Sequence, residues 1–265
     1  MGNFIVTTVR KPDNAVKSFA EEISYKFSGK LVAREDFSFD KLKKLHNVEN
    51  ILLVKKNSLS IITSDGELFF HPNLAHLRIK NLRCGDGDRL IDALKISEGS
   101  KVLDCTLGLG SDAIVASFIA GNSGKVVALE KNLLIFAVVS HGLKNFSDDS
   151  PHILDAMRRI EVFNADCKDF LKTCANNSFD AVYFDPMFIK PLKKSSGINP
   201  IRPLADKSPL TPEIIAEACR VAKNRIVLKN NSGSNEFERL GFTILGGGKY
   251  SSVAFGVIDN NYCLL

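Results

Sequence analysis

Apolar positions cluster at Phe4–Val9, recur with a helical period over Asn14–Phe27, and return as short runs at Leu31–Ala33, Ile51–Val54 and Leu59–Thr63. Short apolar runs bounded by polar residues predict strands, and apolar residues every third or fourth position predict a helix. Lys-rich Phe39–Leu45 reads as an amphipathic helix, and Lys55–Ser58 joins two strands. Asp65-Gly66 forms a tight turn into Leu68–Phe70, after which His71-Pro72-Asn73 punctuates the chain. The expectation is a small α+β unit over residues 1–75, followed by a second domain over residues 76–265.

Beyond Lys101 the pattern alternates. Strand-like runs at Lys101–Cys105, Val126–Glu130, Ile160–Asn164, Ala181–Asp185 and Arg225–Lys229 are separated by helical stretches at Asp112–Ile119, Leu133–Leu143, Cys167–Cys174 and Thr211–Ala222. Such alternation with β-branched, apolar strands predicts a parallel sheet covered on both faces. The last two runs, Phe242–Leu245 and Ser252–Ile258, are linked by Gly-Gly-Gly-Lys-Tyr, too short for a parallel crossover, and so predict an antiparallel hairpin. The fold class expected is α/β: a doubly wound, mostly parallel seven-stranded sheet with an antiparallel C-terminal hairpin, plus the small α+β unit.

Composition narrows the classes. With 45% hydrophobic and 25% charged residues, and only 18 glycines and 9 prolines in 265 residues, disordered and fibrous chains are excluded. The longest apolar stretches, such as Leu133–Val139, fall well short of a bilayer span, and the first residues lack a signal-peptide core, so a cytoplasmic protein without membrane contact is expected. A net charge of +5 tilts mildly toward a polyanionic partner. Six cysteines (84, 105, 167, 174, 219 and 263) show no CxxC pair and read as buried reduced thiols. The five histidines lack metal spacing, so no metal is expected.

The segment from Asp104 through Gly108, Gly110, Ser111 and Asp112 is a strand ending in a carboxylate, a glycine turn and a helix start. Glycines there let backbone approach a ligand, and Asp112 can cap the helix, although a tight turn with no ligand fits the glycines alone. Glu130 ends the next strand 20 residues after Gly110, the offset at which a carboxylate grips ribose hydroxyls. Asp166 follows the third strand and is either a helix cap or an acceptor for an adenine amino group. A dinucleotide is the competing ligand, but Asp104 and Asp112 crowd the turn with negative charge, unhelpful beside a pyrophosphate and suited to a cationic amino-acid moiety on a sulfonium.

The fourth strand ends in Asp185-Pro186-Met187-Phe188, at the same sheet edge. An exocyclic base amine is a weak nucleophile because its lone pair is delocalised, so a catalyst must accept its hydrogens while the methyl approaches; Asp185 and a turn carbonyl supply acceptors. Pro186 stiffens the turn, and Phe188 offers a face on which an extruded base stacks at roughly 1–3 kcal/mol.

Together, the stretch Asp104–Ala113, Leu129-Glu130-Lys131 and Tyr183–Phe188 resemble the S-adenosylmethionine-dependent small-subunit rRNA guanine-N2 methyltransferases, whose fourth motif reads Asp-Pro-Met-Phe and which are kin to the Asp-Pro-Pro-Tyr amine methyltransferases. The terminal hairpin is likewise similar to the sheet ending of class I methyltransferases. The likeness runs from about His76 to Lys229 and includes the lead-in His76, Arg78, Lys80, Gly85, Gly87 and Arg89. It implies a Rossmann-like methyltransferase domain with Ser111, Asp112, Glu130, Lys131 and Asp185 lining the cofactor site. Residues 1–75 have no counterpart in the resemblance, and Ile189-Lys190 stands where the family has proline followed by histidine or another basic residue.

The expected protein is therefore a methyltransferase acting on an exocyclic base nitrogen of RNA, with guanine N2 of ribosomal RNA in first place. Asp104, Gly108, Gly110, Ser111 and Asp112 are expected at the methionine end of S-adenosylmethionine, Glu130 at the ribose, Asp166 at the adenine, and Asp185, Pro186 and Phe188 at the target base. The basic, Pro-studded segment with Lys190, Lys193, Lys194 and Arg202 is expected to position an RNA backbone. Lys41, Lys43 and Lys44 read as an exposed helix face. Competing readings are a same-fold methyltransferase acting on DNA or a protein amide, a nicotinamide-dinucleotide oxidoreductase, and a non-catalytic RNA-binding module.

Overall fold

A computed structural model describes residues 3–148, 150–186, 199–206, 208–245 and 251–260. The chain divides into two compact units: Met1–His71 with Asn132–Ser147 and Leu192–Ala205, and Pro72–Lys131 with Asp148–Pro191 and Asp206–Leu265.

The first unit contains β1 (Phe4–Thr8), α1 (Asn14–Phe27), β2 (Lys30–Leu31), α2 (Phe39–His46), β3 (Asn50–Val54), β4 (Leu59–Thr63) and β5 (Gly66–Phe69). The strand order is β2-β1-β3-β4-β5, with β2 and β3 parallel to β1 and the β3-β4-β5 meander antiparallel. Both helices start where a short polar side chain satisfies an orphan amide: Asp13 accepts from the Val16 N–H and Ser38 from the Lys41 N–H. The apolar stripe of α1 buries Val16, Ala20, Ile23 and Phe27. On α2 Leu42 is fully buried, while Lys41 and Lys44 are exposed and the Lys41 ammonium lies 4.1 Å from the centre of the Phe37 ring. Ile5, Leu42, Ile51, Leu53 and Ile62 form the core. A much later helix, Leu133–Asn145, belongs to this unit: it packs on β4, and its Gly142 lies flat against the Phe70 ring. The hydrophobic pattern alone did not place that helix with the front residues.

The second unit carries α3 (Asn73–Arg83), α4 (Arg89–Leu94), β6 (Lys101–Asp104), α5 (Ser111–Ala120), β7 (Lys125–Leu129), α7 (Pro151–Arg158), β8 (Ile160–Phe163), α8 (Cys167–Thr173), β9 (Phe179–Phe184), α9 (Pro212–Val221), β10 (Ala222–Asn231), α10 (Glu236–Arg239), β11 (Thr243–Leu245) and β12 (Val253–Asp259), the Leu133–Asn145 helix being α6. The sheet order is β11-β12-β10-β9-β6-β7-β8. The first five strands of this unit run parallel, and β12 is antiparallel to both β10 and β11. The expected α/β sheet with its closing hairpin is present, the returning strand β12 being inserted between β10 and β11. Gly256 permits that insertion, because a Cβ there would lie 2.5 Å from the Phe237 ring.

The chain leaves β6 toward β7 and β8 on one side and later returns to β9 and β10 on the other. The order therefore reverses beside β6, and the carboxyl ends of β6 and β9 flank the crevice where ligands of open α/β sheets bind. Buried Leu103, Val127, Leu129, Val182, Phe184, Ile226 and Leu228 fill the sheet's middle, so the strand ends are the places where polar groups emerge. Not every thiol is buried as expected: Cys84 is exposed, Cys105 is buried, and Cys167, Cys174 and Cys219 lie between. No described helix is long and apolar enough to cross a membrane.

Candidate active site

The strand β6 ends at Asp104, whose side chain is 2% exposed. Its Oδ1 accepts from the Thr106 N–H at 2.9 Å, while buried Oδ2 has no hydrogen-bond partner among the described residues. Burial, with Asp112 and Asp185 nearby, pushes the Asp104 carboxyl up to about 8. The turn then passes through Gly108 (φ 53°) and Gly110 (φ 81°), left-handed conformations that glycine adopts without steric cost. Gly110 occupies the N-cap of α5 and provides no side-chain cap, so Asp112 does not cap this helix as expected. It sits in the first turn, where its carboxylate has other partners.

At the next two strand ends, Glu130 accepts the Gly108 N–H through Oε2 at 3.2 Å. The acid following β7 thus stiffens the glycine turn following β6. Asn164 ties the two later strand ends together by donating to the carbonyls of Glu130 (2.8 Å) and Lys131 (3.1 Å). Asp166 does cap α8, accepting from the Lys168 N–H. Its other oxygen pairs with Lys131 at 2.9 Å, and Lys131 also reaches Asp206 at 2.7 Å. The hydrogen bonds to Asp206 and Asp166 raise the Lys131 ammonium above its usual range.

Beside β6, strand β9 delivers Tyr183 and Asp185, and β10 delivers Lys229. The register Phe184↔Leu228 puts the next residues, Asp185 and Lys229, side by side. Lys229 Nζ lies 2.7 Å from Asp185 Oδ2 and 2.9 Å from Asp112 Oδ2. Asp112 Oδ2 also accepts from the Tyr183 hydroxyl at 2.8 Å, and Asp112 Oδ1 accepts from Arg78 Nη1 at 2.5 Å. Arg78, on α3, spends its remaining edge on a bidentate pair with Asp88 (2.7 and 2.8 Å), the residue that caps α4. The Asp185 N–H donates to Thr106 Oγ1 at 2.6 Å, fixing the Asp-Pro turn against the β6 turn.

The carboxylates respond differently to this cluster. Burial opposes charge on Asp112, but Lys229 and Arg78 outweigh it and hold the carboxyl down at about 2. Burial also works on Asp185, and with Asp112 it raises the group to about 6 against the pull of Lys229. Lys229 itself is shifted upward, because the two aspartates outweigh its burial. The cluster is a partly buried, prearranged electrostatic site, in which hydrogen bonds between charged groups are stronger than in water.

Of the predicted site residues, Asp104, Gly108, Gly110, Glu130, Lys131, Asp166, Asp185 and Pro186 lie at the carboxyl ends of β6–β9 or in the connections that follow them, and Ser111 and Asp112 lie in the first turn of α5. Two differ in use from expectation. Asp112 presents no open carboxylate, because three donors occupy it, and Lys131 is taken up by two acids. Phe188, Lys190, Lys193 and Lys194 fall outside the described residues. Arg202 is partly exposed and belongs to the first unit. Sequence reasoning missed the roles of Thr106, Tyr183 and Lys229, and took Arg78 only as part of a lead-in; the available signal was a lysine at the end of a buried strand, which rarely lies buried without a partner. Among the described residues no group of three or more His, Cys, Asp or Glu is placed to hold a metal.

Comparison with known proteins identifies the family. Residues 38–240 match the family described as "Putative SAM-dependent methyltransferase". The chain is 39% identical over 258 residues, 97% of its length and 99% of the relative's, to "Uncharacterized protein YpiP" of Bacillus subtilis (strain 168). It is 32% identical over 145 residues to "Ribosomal RNA small subunit methyltransferase J" of Francisella philomiragia, covering 53% of this chain and 57% of that protein. The protein of the same name from Pseudomonas fluorescens is 28% identical over 168 residues, covering 61% and 62%. In fold, the chain is similar to the crystal structure of the SAM-dependent methyltransferase NGO1261 from Neisseria gonorrhoeae, with TM-score 0.60 at 17% identity over 97% of this chain and 96% of that one.

Proposed function

The chain belongs to the family of S-adenosylmethionine-dependent methyltransferases, and from that premise we propose that it methylates an exocyclic amino nitrogen of RNA, guanine N2 of ribosomal RNA first among the candidates. The observation that carries this reading is the Asp185 carboxylate at the end of β9, half-buried next to buried Asp104, with Oδ2 taken by Lys229 and Oδ1 without a hydrogen-bond partner among the described residues. An amine acceptor needs such a group, whereas a hydroxyl or carbon target does not need two hydrogens drawn away from a flat heterocycle. The relatives named for ribosomal RNA methylation, each matched over little more than half its length, support the RNA substrate.

S-adenosylmethionine supplies an electrophilic methyl group on a sulfonium. The residues at the strand ends fit it: the unpartnered, buried Asp104 Oδ2 suits a cationic ammonium, and Glu130 and the Gly108–Gly110 turn suit a ribose and a close backbone approach. Asp104, Gly108, Gly110, Ser111, Glu130 and Asp166 would hold the cofactor. Asp112 and Lys131 act one step back, fixing Lys229 and Asp166. Asp185 would orient the target amine and take its proton as the N–C bond forms and the methyl–sulfur bond breaks, the electron pair of that bond staying on sulfur. Pro186 keeps the turn short, and Phe188 is the stacking face for the base. Lys190, Lys193, Lys194 and Arg202 contact the RNA backbone, which makes binding weaken steeply with salt.

The test is methyl-label transfer from S-adenosylmethionine to RNA, DNA and protein fractions of cells lacking the protein. RNA should take the label at a single base. The Asp185→Ala variant should lose about a hundredfold or more of the rate while binding S-adenosylhomocysteine within about threefold of wild type. Label entering only DNA or protein, or full activity in the variant, defeats the reading.

A further inference from the structure

Three carboxyl groups, Asp104, Asp112 and Asp185, converge beneath the β6 and β9 turns. Two cations meet them. Arg78 is pinned by Asp88 on one edge and reaches Asp112 alone; Lys229 reaches both Asp112 and Asp185. Asp185 is therefore faced by Asp104 from β6, Thr106 from the following turn, Asp112 from α5, Tyr183 from its own strand, Lys229 from β10 and, farther off, Arg78 from α3. Of these only Lys229 places a positive charge in contact with it, at 2.7 Å.

We propose that Lys229 is a positioning residue for methyl transfer: clamped on Asp112, it keeps Asp185 a carboxylate and turns Oδ1 toward the substrate amine. The proposal rests on the reading of Asp185 as the amine's acceptor. Two opposing influences meet at Asp185. Burial and the Asp112 charge favour the neutral acid, which would offer a hydroxyl donor to an amine that needs an acceptor. Lys229 favours the charged form and occupies Oδ2, so the remaining oxygen faces away from the lysine. The lysine is itself held, because Asp112 is fixed by Arg78 and Tyr183. Asp112 is thereby the anchor of the clamp. Removing the ammonium should leave Asp185 protonated near neutral pH, so the acid limb of the rate profile moves upward.

The experiment pairs ¹³C NMR of aspartate-labelled full-length protein, with Asp185 assigned through Asp185→Asn, with the pH profile of methyl transfer at saturating donor. Lys229→Met should raise the Asp185 titration and the acid limb together by about one pH unit or more, with donor KM changed less than about threefold. Lys229→Arg should bring both more than halfway back, which a merely structural role would not require. An unmoved titration in Lys229→Met, or a rate loss equal at every pH, overturns the proposal. Should Lys229→Met not fold, Lys229→Gln takes its place, and wild type alone decides if Asp185 keeps its proton above about pH 7.5, which also overturns it. If RNA proves not to be the substrate, the NMR shift still stands or falls by itself; if Lys229 is idle, wild-type transfer to RNA is untouched.

Discussion

At the residue scale, Asp104 and Asp112 show how far one side chain's chemistry depends on its neighbours. They lie eight positions apart at one turn, yet the first is pushed up to about 8 and the second down to about 2. Asp104 has a lone backbone amide and a hydroxyl; Asp112 has Arg78, Tyr183 and Lys229. A raised carboxyl pKa means that the folded state holds the proton more tightly than the unfolded chain. The associated stability is complete at pH below the ordinary carboxylate range and is lost as pH rises through about 8. Asp104→Asn, which cannot ionise, should thus melt higher than wild type at pH 8.5 without cofactor, by about 2 kcal/mol or about 4–8 °C, and by much less at pH 5. The same variant should bind S-adenosylhomocysteine more weakly. Equal melting differences at both pH values would show that Asp104 is not held neutral. The acids at the strand ends were legible in the sequence; which of them stayed open was not, because the partners of Asp112 come from residues 34, 71 and 117 positions away.

At the element scale, periodicity located strands and helices well where runs were long and apolar. Strands β6–β9 and helices α5, α6, α8 and α9 fall close to their expected bounds. Some helices escaped notice: α7 has only eight residues, the first of them a proline, and α3 begins at Asn73, the last residue of the punctuation that marked the domain boundary. What periodicity could not decide was which surface a helix covers. Helix α6 is apolar nearly all round, with Leu134, Ile135, Ala137, Val138, Val139 and Leu143 buried. Its glycine gives a test. Alanine in mid-helix normally stabilises by about 1 kcal/mol over glycine, but a Cβ at Gly142 would stand 2.2 Å from Phe70 Cγ. The clash wins, because overpacking costs about 1–3 kcal/mol. Gly142→Ala should lower the melting temperature by several degrees; a rise would mean that α6 does not lie against Phe70.

At the scale of the whole molecule, the first unit is discontinuous in sequence. It draws α6 from the stretch between β7 and α7, so residues 1–71 lack the helix that covers β4 and Phe70. Expressed alone, residues 1–71 should be molten, with secondary structure in the far-ultraviolet spectrum but poorly dispersed amide resonances. A sharply dispersed spectrum from that fragment would show that α6 is dispensable. The family match begins at residue 38 and thus includes α2 through β5 of this unit, which ties those elements to the methyltransferase family as a whole.

What the sequence determined by itself was everything that depends on neighbours along the chain: the alternation that makes a parallel sheet, the closing hairpin, the glycine turn, and the acids at successive strand ends. Only the tertiary structure decided what depends on neighbours in space. It matched β9 to β10 so that Lys229 meets Asp185, brought Arg78 to Asp112, left one oxygen of Asp104 without a partner, and assigned α6 to the front unit. Burial strengthens every one of those charge contacts, and burial is set by packing, which no local stretch of residues contains.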